Sequence, residues 1–164
     1  MKMHKSEFTE VINASKEKTW EVLFSQYGDI HLHNPTMESS NYMNGASRGE
    51  LDCIRHCEFG GKVFVDEKIT EVNENNSFTI VVTEHNIPFV KEMSATYELF
   101  SIDDEVTEVK MTSYKSFSPR FMKYLMRGQL GKPLIKHLFG LKYYVETGKT
   151  VTMDNYSAIF KNYR

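Results

Sequence analysis

Residues 49–72, GELDCIRHCEFGGKVFVDEKITEV, contain two runs of alternating apolar and polar residues on either side of a glycine pair. Alternation with a period of two is typical of β-strands, and a short glycine-containing connection favours an antiparallel hairpin. The sequence therefore predicts two strands, at about 49–59 and 62–72, that pair across a turn at Gly60 and Gly61. The other predicted strands lie on either side of this hairpin in the sequence.

The same alternation extends outward over residues 36–117, and turn-forming residues interrupt it at short intervals. The interruptions lie at Asn44-Gly45, Gly60-Gly61, residues 73–76, residues 86–88 and Asp103-Asp104. Besides the central pair, the predicted strands are 36–43, 77–85, 92–102 and 106–117. Connections this short indicate an antiparallel meander, because parallel crossovers need a dozen or more residues.

The chain before the meander predicts one strand and two short helices. Residues 6–13 alternate as a strand does, and Ser15 is a suitable N-cap for a helix at about 16–25. A second short helix extends to about His31. It ends before Asn34-Pro35, because a residue that precedes proline is disfavoured in the helical region.

Helical spacing returns after Ser118-Pro119 and continues to about residue 147. Apolar residues lie on one side of the helical wheel before residue 128 and on the opposite side after residue 133. Proline in a helix interior costs about 3 kcal/mol, and Pro133 lies where the apolar side changes. We therefore predict a break or sharp kink between 128 and 133. Residues 150–164 form a polar and aromatic tail without a clear period.

Composition indicates a single domain with an unusual number of bulky side chains. The 164 residues include 11 phenylalanines, 9 tyrosines, one tryptophan and 9 methionines. Only two cysteines are present, no apolar run is long enough to span a membrane, and the N-terminus lacks an apolar signal core. We therefore expect a cytoplasmic protein, as a monomer or homodimer.

The net charge of −2 hides an uneven distribution. Residues 1–108 hold 9 Lys or Arg and 20 Asp or Glu, whereas residues 109–145 hold 8 Lys or Arg and no acid. This basic segment either complements the acidic part of the same chain or contacts an anionic membrane or an acidic ligand head group. Nucleic acid is not an expected partner, because the domain is acidic overall and has no nucleic-acid motif.

No cofactor or metal ion is expected from the sequence. It contains no glycine-rich phosphate loop and no signature of a catalytic triad. His31 and His33 have the spacing of metal ligands, but no third ligand follows at a suitable distance.

Arg55 and Glu67 are the first candidates for a functional site. Each lies among apolar residues of the same parity on its predicted strand, and an apolar parity marks the inward face. The hairpin register decides whether they meet. A two-residue turn at Gly60-Gly61 places Arg55 opposite Asp66, whereas a three-residue loop at 60–62 places Arg55 opposite Glu67. In the second case the pair either binds a polar group of a ligand or has a purely structural role.

Further ligand-binding candidates are bulky or polar residues on strand faces and helix stretches that we expect to look inward. They are Phe78, Tyr97, Met111, Ser113, Phe117, Met122 and Met126. Apolar surfaces with a few placed polar groups are typical of small-molecule pockets. We interpret much of the aromatic and methionine content as the wall of a cavity.

Several local motifs, taken in order, resemble the START-like, or SRPBCC, superfamily over about residues 5–149. The motifs are Ile12-Asn13-Ala14-Ser15, residues 18–23, His33-Asn34-Pro35, the set Gly49, Arg55, Glu67 and Ile69, and Leu141-Lys142 with Glu146. The superfamily includes polyketide cyclase/dehydrase-like and lipid-transfer domains. The resemblance implies an α+β helix-grip fold, in which a curved antiparallel sheet of about seven strands wraps around a long C-terminal helix. It places the domain at 1–149 and leaves the tail at 150–164 outside.

The resemblance further implies an apolar cavity between sheet and helix. The function expected from it is the binding or transport of a hydrophobic small molecule, such as a lipid, sterol or polyketide. One alternative is a cyclase or dehydratase that uses Arg55, Glu67 and Tyr97 as polar groups inside the cavity. The other is a chaperone-associated interaction module, which predicts an exposed apolar patch and no sizeable cavity.

Overall fold

The computed structural model describes residues 3–163, apart from the side chains of Arg127 and Leu130. Seven strands precede a long helix. The strands are β1 (His4–Ile12), β2 (Met37–Tyr42), β3 (Ile54–Phe59), β4 (Val63–Asn73), β5 (Ser77–His85), β6 (Val90–Asp103) and β7 (Val106–Phe117). The helices are α1 (Lys16–Trp20), α2 (Met122–Thr147) and α3 (Tyr156–Tyr163).

The strands form one antiparallel sheet in the order β1-β7-β6-β5-β4-β3-β2. Six of them follow one another as the predicted meander, and β1 pairs with β7 at the far edge. Between β1 and β2 the chain forms α1, a π-helical turn at Glu21–Ser25 and a 3₁₀ helix at Tyr27–Leu32. Ser15 caps α1 by accepting a hydrogen bond from the Lys18 amide. The predicted helix-grip fold is confirmed.

The predicted strand at 49–59 is wrong in its first half, because β3 begins only at Ile54. Asp52 has a positive φ of 66°, which is incompatible with an extended strand. Gly49 lies against the preceding helical segment, and its amide donates to the Ser25 carbonyl at 2.9 Å. A β-carbon at this position would lie 1.8 Å from the carbonyl oxygen of Phe24, so the close approach requires glycine.

The hairpin between β3 and β4 has the three-residue connection Gly60–Lys62. Gly61 and Lys62 both adopt positive φ, at 76° and 67°. Glycine reaches this region without a steric cost, which explains why a glycine occupies the loop. The resulting register places Arg55 directly opposite Glu67.

Helix α2 runs without interruption for 26 residues and contains Pro133, so of the two predicted alternatives, a break or a sharp kink, the break is wrong. The predicted change of apolar side is nevertheless real. Several apolar side chains at the start of the helix remain in solvent, with Phe121 59%, Tyr124 71% and Leu125 65% exposed, whereas Met122 and Met126 are partly buried. The helix therefore does not need to break, because its two apolar sides are not both required to face the core.

The second half of α2 packs closely on the segment that precedes β2. A β-carbon at Gly140 would lie 2.0 Å from the His33 carbonyl oxygen, so the two backbones are in contact there. Leu138, Leu141 and Val145 are buried in the main core. This contact fixes the second half of α2 against the segment that precedes β2.

The tail, for which the sequence shows no clear period, contains α3 packed on α2. The rings of Tyr156 and Phe160 contact Phe139, and Tyr163 contacts Tyr143. Tyr163 also donates a hydrogen bond to Glu146. Tyr156, Phe160 and Tyr163 have helical spacing, so the sequence of the short tail does contain a signal for α3. Among the described helices, none has a stretch both long enough and apolar enough to cross a membrane.

Candidate ligand-binding cavity

A cavity of about 290 Å³ lies between the sheet and α2. This is near the lower end of the range of roughly 300–1,000 Å³ that is typical of small-molecule pockets. Its wall is predominantly apolar, and every strand from β3 to β7 contributes to it. The apolar lining residues are Phe59, Val63, Val65, Ile80, Val82, Ile87, Met93, Ala95, Met111, Pro133 and Leu134.

Four residues with polar side chains also line the cavity: Glu67, Ser94, Ser113 and Lys115. Glu67 is held by Arg55, whose Nε and Nη2 lie 2.8 Å and 2.6 Å from the same carboxylate oxygen. The negative charge that faces the cavity at this point is therefore already paired within the protein.

Arg55 itself is buried behind the cavity wall and does not line it. Its Nη1 donates to the Tyr27 carbonyl at 2.9 Å, and its guanidinium lies 3.8 Å from the centre of the Tyr27 ring. Burial opposes the charge, but Tyr27 and Glu67 outweigh it and raise the pKa of Arg55 above its ordinary value. Arg55 and Glu67 thus connect the helical segment after β1 to two neighbouring strands.

Lys115 and Ser94 are polar lining residues that are absent from the predicted ligand-binding set. Lys115 is the charged one. It lies on β7 with the same parity as Met111 and Ser113, so its side chain points to the covered face of the sheet. The residue is only 8% exposed, and burial lowers the pKa of its amino group to about 8. The strand parity of Lys115 is the sequence signal for this inward position, whereas its place in the basic segment carries no such signal.

Two of the predicted ligand-binding residues, Phe78 and Tyr97, belong to the solid core. Their rings stack at 4.9 Å, and Phe78 also contacts Trp20 and Phe24. A hydrogen bond of 3.1 Å joins the Tyr97 hydroxyl and Nε2 of His137. These aromatic rings therefore fill the interior rather than form the cavity wall.

The ring of His137 stacks on His33 at 5.7 Å, deep in the same core. Both residues are 2% exposed, and neither Nδ1 atom has a hydrogen-bond partner among the residues that the structure describes. Burial, with a smaller effect of the Arg55 charge, lowers the pKa of His137 to about 3. Burial also lowers the pKa of His33 well below its ordinary value, so both imidazoles are neutral at physiological pH.

Phe117, Met122 and Met126 are not among the lining residues, but they pack in a second apolar cluster whose members Val65, Met93 and Ile87 do line the cavity. Of the nine predicted ligand-binding residues, Glu67, Met111 and Ser113 line the cavity. Of the three acid–base candidates Arg55, Glu67 and Tyr97, only Glu67 reaches it.

The basic segment 109–145 does not form one surface. Lys110 pairs with Glu7 and Glu98 on the outer face of the sheet, and Lys142 pairs with Glu146. Lys115 lies inside, as described above. Arg120 and Lys123 remain at the start of α2, beside the exposed apolar side chains, and the side chain of Arg127 lies outside the described residues.

Comparison with solved structures identifies the fold. A protein from Nitrosospira multiformis superposes with a TM-score of 0.71 at 12% identity, covering 88% of this chain and 98% of that one. Ara h 8.0201 gives 0.70 at 14% identity, covering 88% and 98%. The major latex-like protein 151 of Panax ginseng gives 0.70 at 12% identity, covering 87% and 97%.

These neighbours share the START-like helix-grip fold that the sequence resemblance implies. No protein-family model matches the sequence, and no curated protein matches it either.

Proposed function

We propose that this START-like domain binds a hydrophobic small molecule in the cavity between the sheet and α2. The observation that supports the proposal most is the predominantly apolar wall around a space of about 290 Å³. Apolar molecules leave water for such a space at a gain of roughly 25 cal/mol per Å² buried. The lipid, sterol and polyketide classes share this chemistry, and the size of the cavity favours their smaller members or a single chain.

Calorimetric titration with octanol, a neutral amphiphile that fits a small apolar space, tests this proposal. Wild-type protein should bind it saturably at one site, with a negative heat-capacity change that marks apolar burial. Ala95→Leu places a larger side chain between Ile80 and Ser113, its partners on the neighbouring strands, and should abolish binding. Ala158→Leu makes the same change on the exposed side of α3 and should bind as wild type does. Binding that survives Ala95→Leu would contradict the proposal.

We also propose that the domain exchanges its ligand at an anionic membrane through what we call the α2 patch, formed by Phe89, Phe121, Tyr124 and Leu125. All four are about half exposed or more. Phe89 is brought to the start of α2 by its carbonyl, which accepts a hydrogen bond from the Ser118 amide at 2.9 Å. Arg120 and Lys123 supply positive charge beside these apolar side chains, a combination that suits an anionic interface.

Vesicle co-sedimentation tests the α2 patch. Binding should require anionic phospholipid and fade as salt rises, because exposed charges are screened over about 10 Å at 0.1 M salt. Phe121→Ser with Leu125→Ser should remove it, whereas Ile102→Ser, at an apolar residue 57% exposed in β6, should not. Equal binding to neutral vesicles, or none at all, would contradict a membrane role; the second result would favour a protein partner for this patch.

A further inference from the structure

Lys115 is a charged group placed in an apolar cavity. Its strand partner on β6 is Met93, and both residues line the cavity together with Met111. The amino group is thus largely removed from water before any ligand arrives. A cation in such surroundings is costly unless a negative charge accompanies it.

No carboxylate of the described residues lies within ion-pair distance of Lys115. Within the described part of the chain, Lys115 makes no ion pair and no side-chain hydrogen bond. The other charged lining residue, Glu67, is held at 2.6 Å by Arg55. The titratable neighbour on β1 is His4, which lies opposite Lys115 in the register and contacts the Ser6 hydroxyl at 3.3 Å.

Lys110, on the same strand, shows what an ordinary lysine of this sheet does. It lies on the opposite face and contacts Glu7 at 3.3 Å and Glu98 at 3.6 Å. Glu7 and Glu98 face that outer side. Glu10 has the inner parity of β1, but it lies opposite Val109, six residues along β7 from Lys115. Among the described residues, the acids of the neighbouring strands therefore give Lys115 no counterpart of the kind that Lys110 has.

We propose that Lys115 binds the carboxylate of a small hydrophobic acid whose apolar body fills the cavity. This inference rests on the proposed function and adds the class of ligand. A single lysine neutralises a monoanion, whereas a phosphate would bring excess negative charge into the same apolar space. Because the lysine is already desolvated, only the ligand pays the cost of leaving water, and the pair then forms in surroundings of low dielectric constant.

The experiment compares octanoate with octanol, which share one chain length and differ in charge. In calorimetric titrations of wild-type protein, octanoate should bind about tenfold more tightly or better, as expected for a hydrogen bond to a charged group. Lys115→Met should keep octanol binding within about twofold of wild type and lose the preference for the acid. Lys110→Met should keep both affinities.

The outcomes separate this inference from the proposed function. If wild-type protein binds octanol and octanoate equally, the carboxylate site is refuted and the apolar cavity stands. If it binds neither, both are refuted. If Lys115→Met weakens both ligands to the same degree, Lys115 supports the cavity wall and does not select the acid. The wild-type comparison decides the question even if the variant does not fold.

Discussion

Replacing Lys115 with methionine should stabilise the ligand-free protein, although substitutions in a buried position usually destabilise. The side chain is 8% exposed, and burial lowers the pKa of its amino group from the ordinary 10.5 to about 8. Each unit of pKa change corresponds to 1.36 kcal/mol. The buried charge therefore costs the folded state on the order of 3 kcal/mol at neutral pH, and methionine removes that cost while keeping much of the side-chain volume.

The pH dependence of the stability difference between Lys115→Met and wild-type protein identifies its cause. Below about pH 8 the lysine is protonated in both the folded and the unfolded state, so the full cost of the buried charge applies. Between about pH 8 and 10.5 the unfolded chain holds more protons than the folded one, so wild-type stability rises with pH. The advantage of Lys115→Met should therefore fall to about half near pH 9 and be small above the unfolded pKa. A contribution from methionine packing would not vary with pH.

Urea unfolding of both proteins at several pH values from about 7 to 10 measures this difference. Lys110→Met is the control: Glu7 raises the pKa of Lys110, so its removal should bring no gain in stability. If Lys115→Met is not more stable at neutral pH, or if its advantage is constant across the range, the lysine is not a desolvated, unpaired cation.

Three further predictions concern the core. Gly140→Ala should lower the free energy of unfolding by several kcal/mol, because its β-carbon would lie 2.0 Å from the His33 carbonyl oxygen. Gly128→Ala, in open space on α2, should raise the free energy of unfolding by up to about 1 kcal/mol. Thermal unfolding of both variants checks this, and equal effects would contradict the close helix contact. The pKa of His137 is lowered to about 3, so as the pH falls below about 6.5 the unfolded state takes up a proton that the folded state does not. His137→Gln should therefore reduce the loss of stability on acidification by about 2 kcal/mol at pH 5. An unchanged midpoint of acid unfolding would refute this. Arg55→Ala should cost about 3–5 kcal/mol in urea unfolding, because it leaves the Glu67 carboxylate without its partner, and a loss below about 1 kcal/mol would show that the pair is not structural.

The strand order could be predicted from the sequence because alternation and turn residues are local signals. The strands from β4 to β7 have nearly the predicted bounds, and the hairpin at Gly60–Lys62 required only a choice between two loop lengths. The start of β3 could not be predicted. It depends on Asp52 in a positive-φ turn and on Gly49 meeting the backbone of Phe24, a contact distant in sequence.

The cavity was harder to predict than the fold. Parity shows which strand residues face inward, but it does not distinguish a side chain that lines empty space from one that fills the core. Phe78 and Tyr97 face inward and stack with other aromatic residues, whereas Met111 and Ser113 face inward and line the cavity. That difference depends on where α2 lies over the sheet, which is a tertiary property.

The uninterrupted course of α2 has a similar explanation. Pro133 and the change of apolar side predict a break only if both halves must bury their apolar residues. In the structure the first half leaves Phe121 and Leu125 in solvent, while Pro133 and Leu134 line the cavity. The pattern that suggested a kink therefore marks the division between an exposed surface and the cavity wall.

Methyl-resolved NMR during titration with octanol tests the central claim, that the cavity between the sheet and α2 binds an apolar molecule. Saturable shifts should appear at the methyl groups of Ile80, Ile87 and Met111, which line the cavity, while Ile12, buried elsewhere in the core, should remain unchanged. The claim would be contradicted if shifts are absent, or if they grow without saturation and are confined to exposed residues such as Leu125.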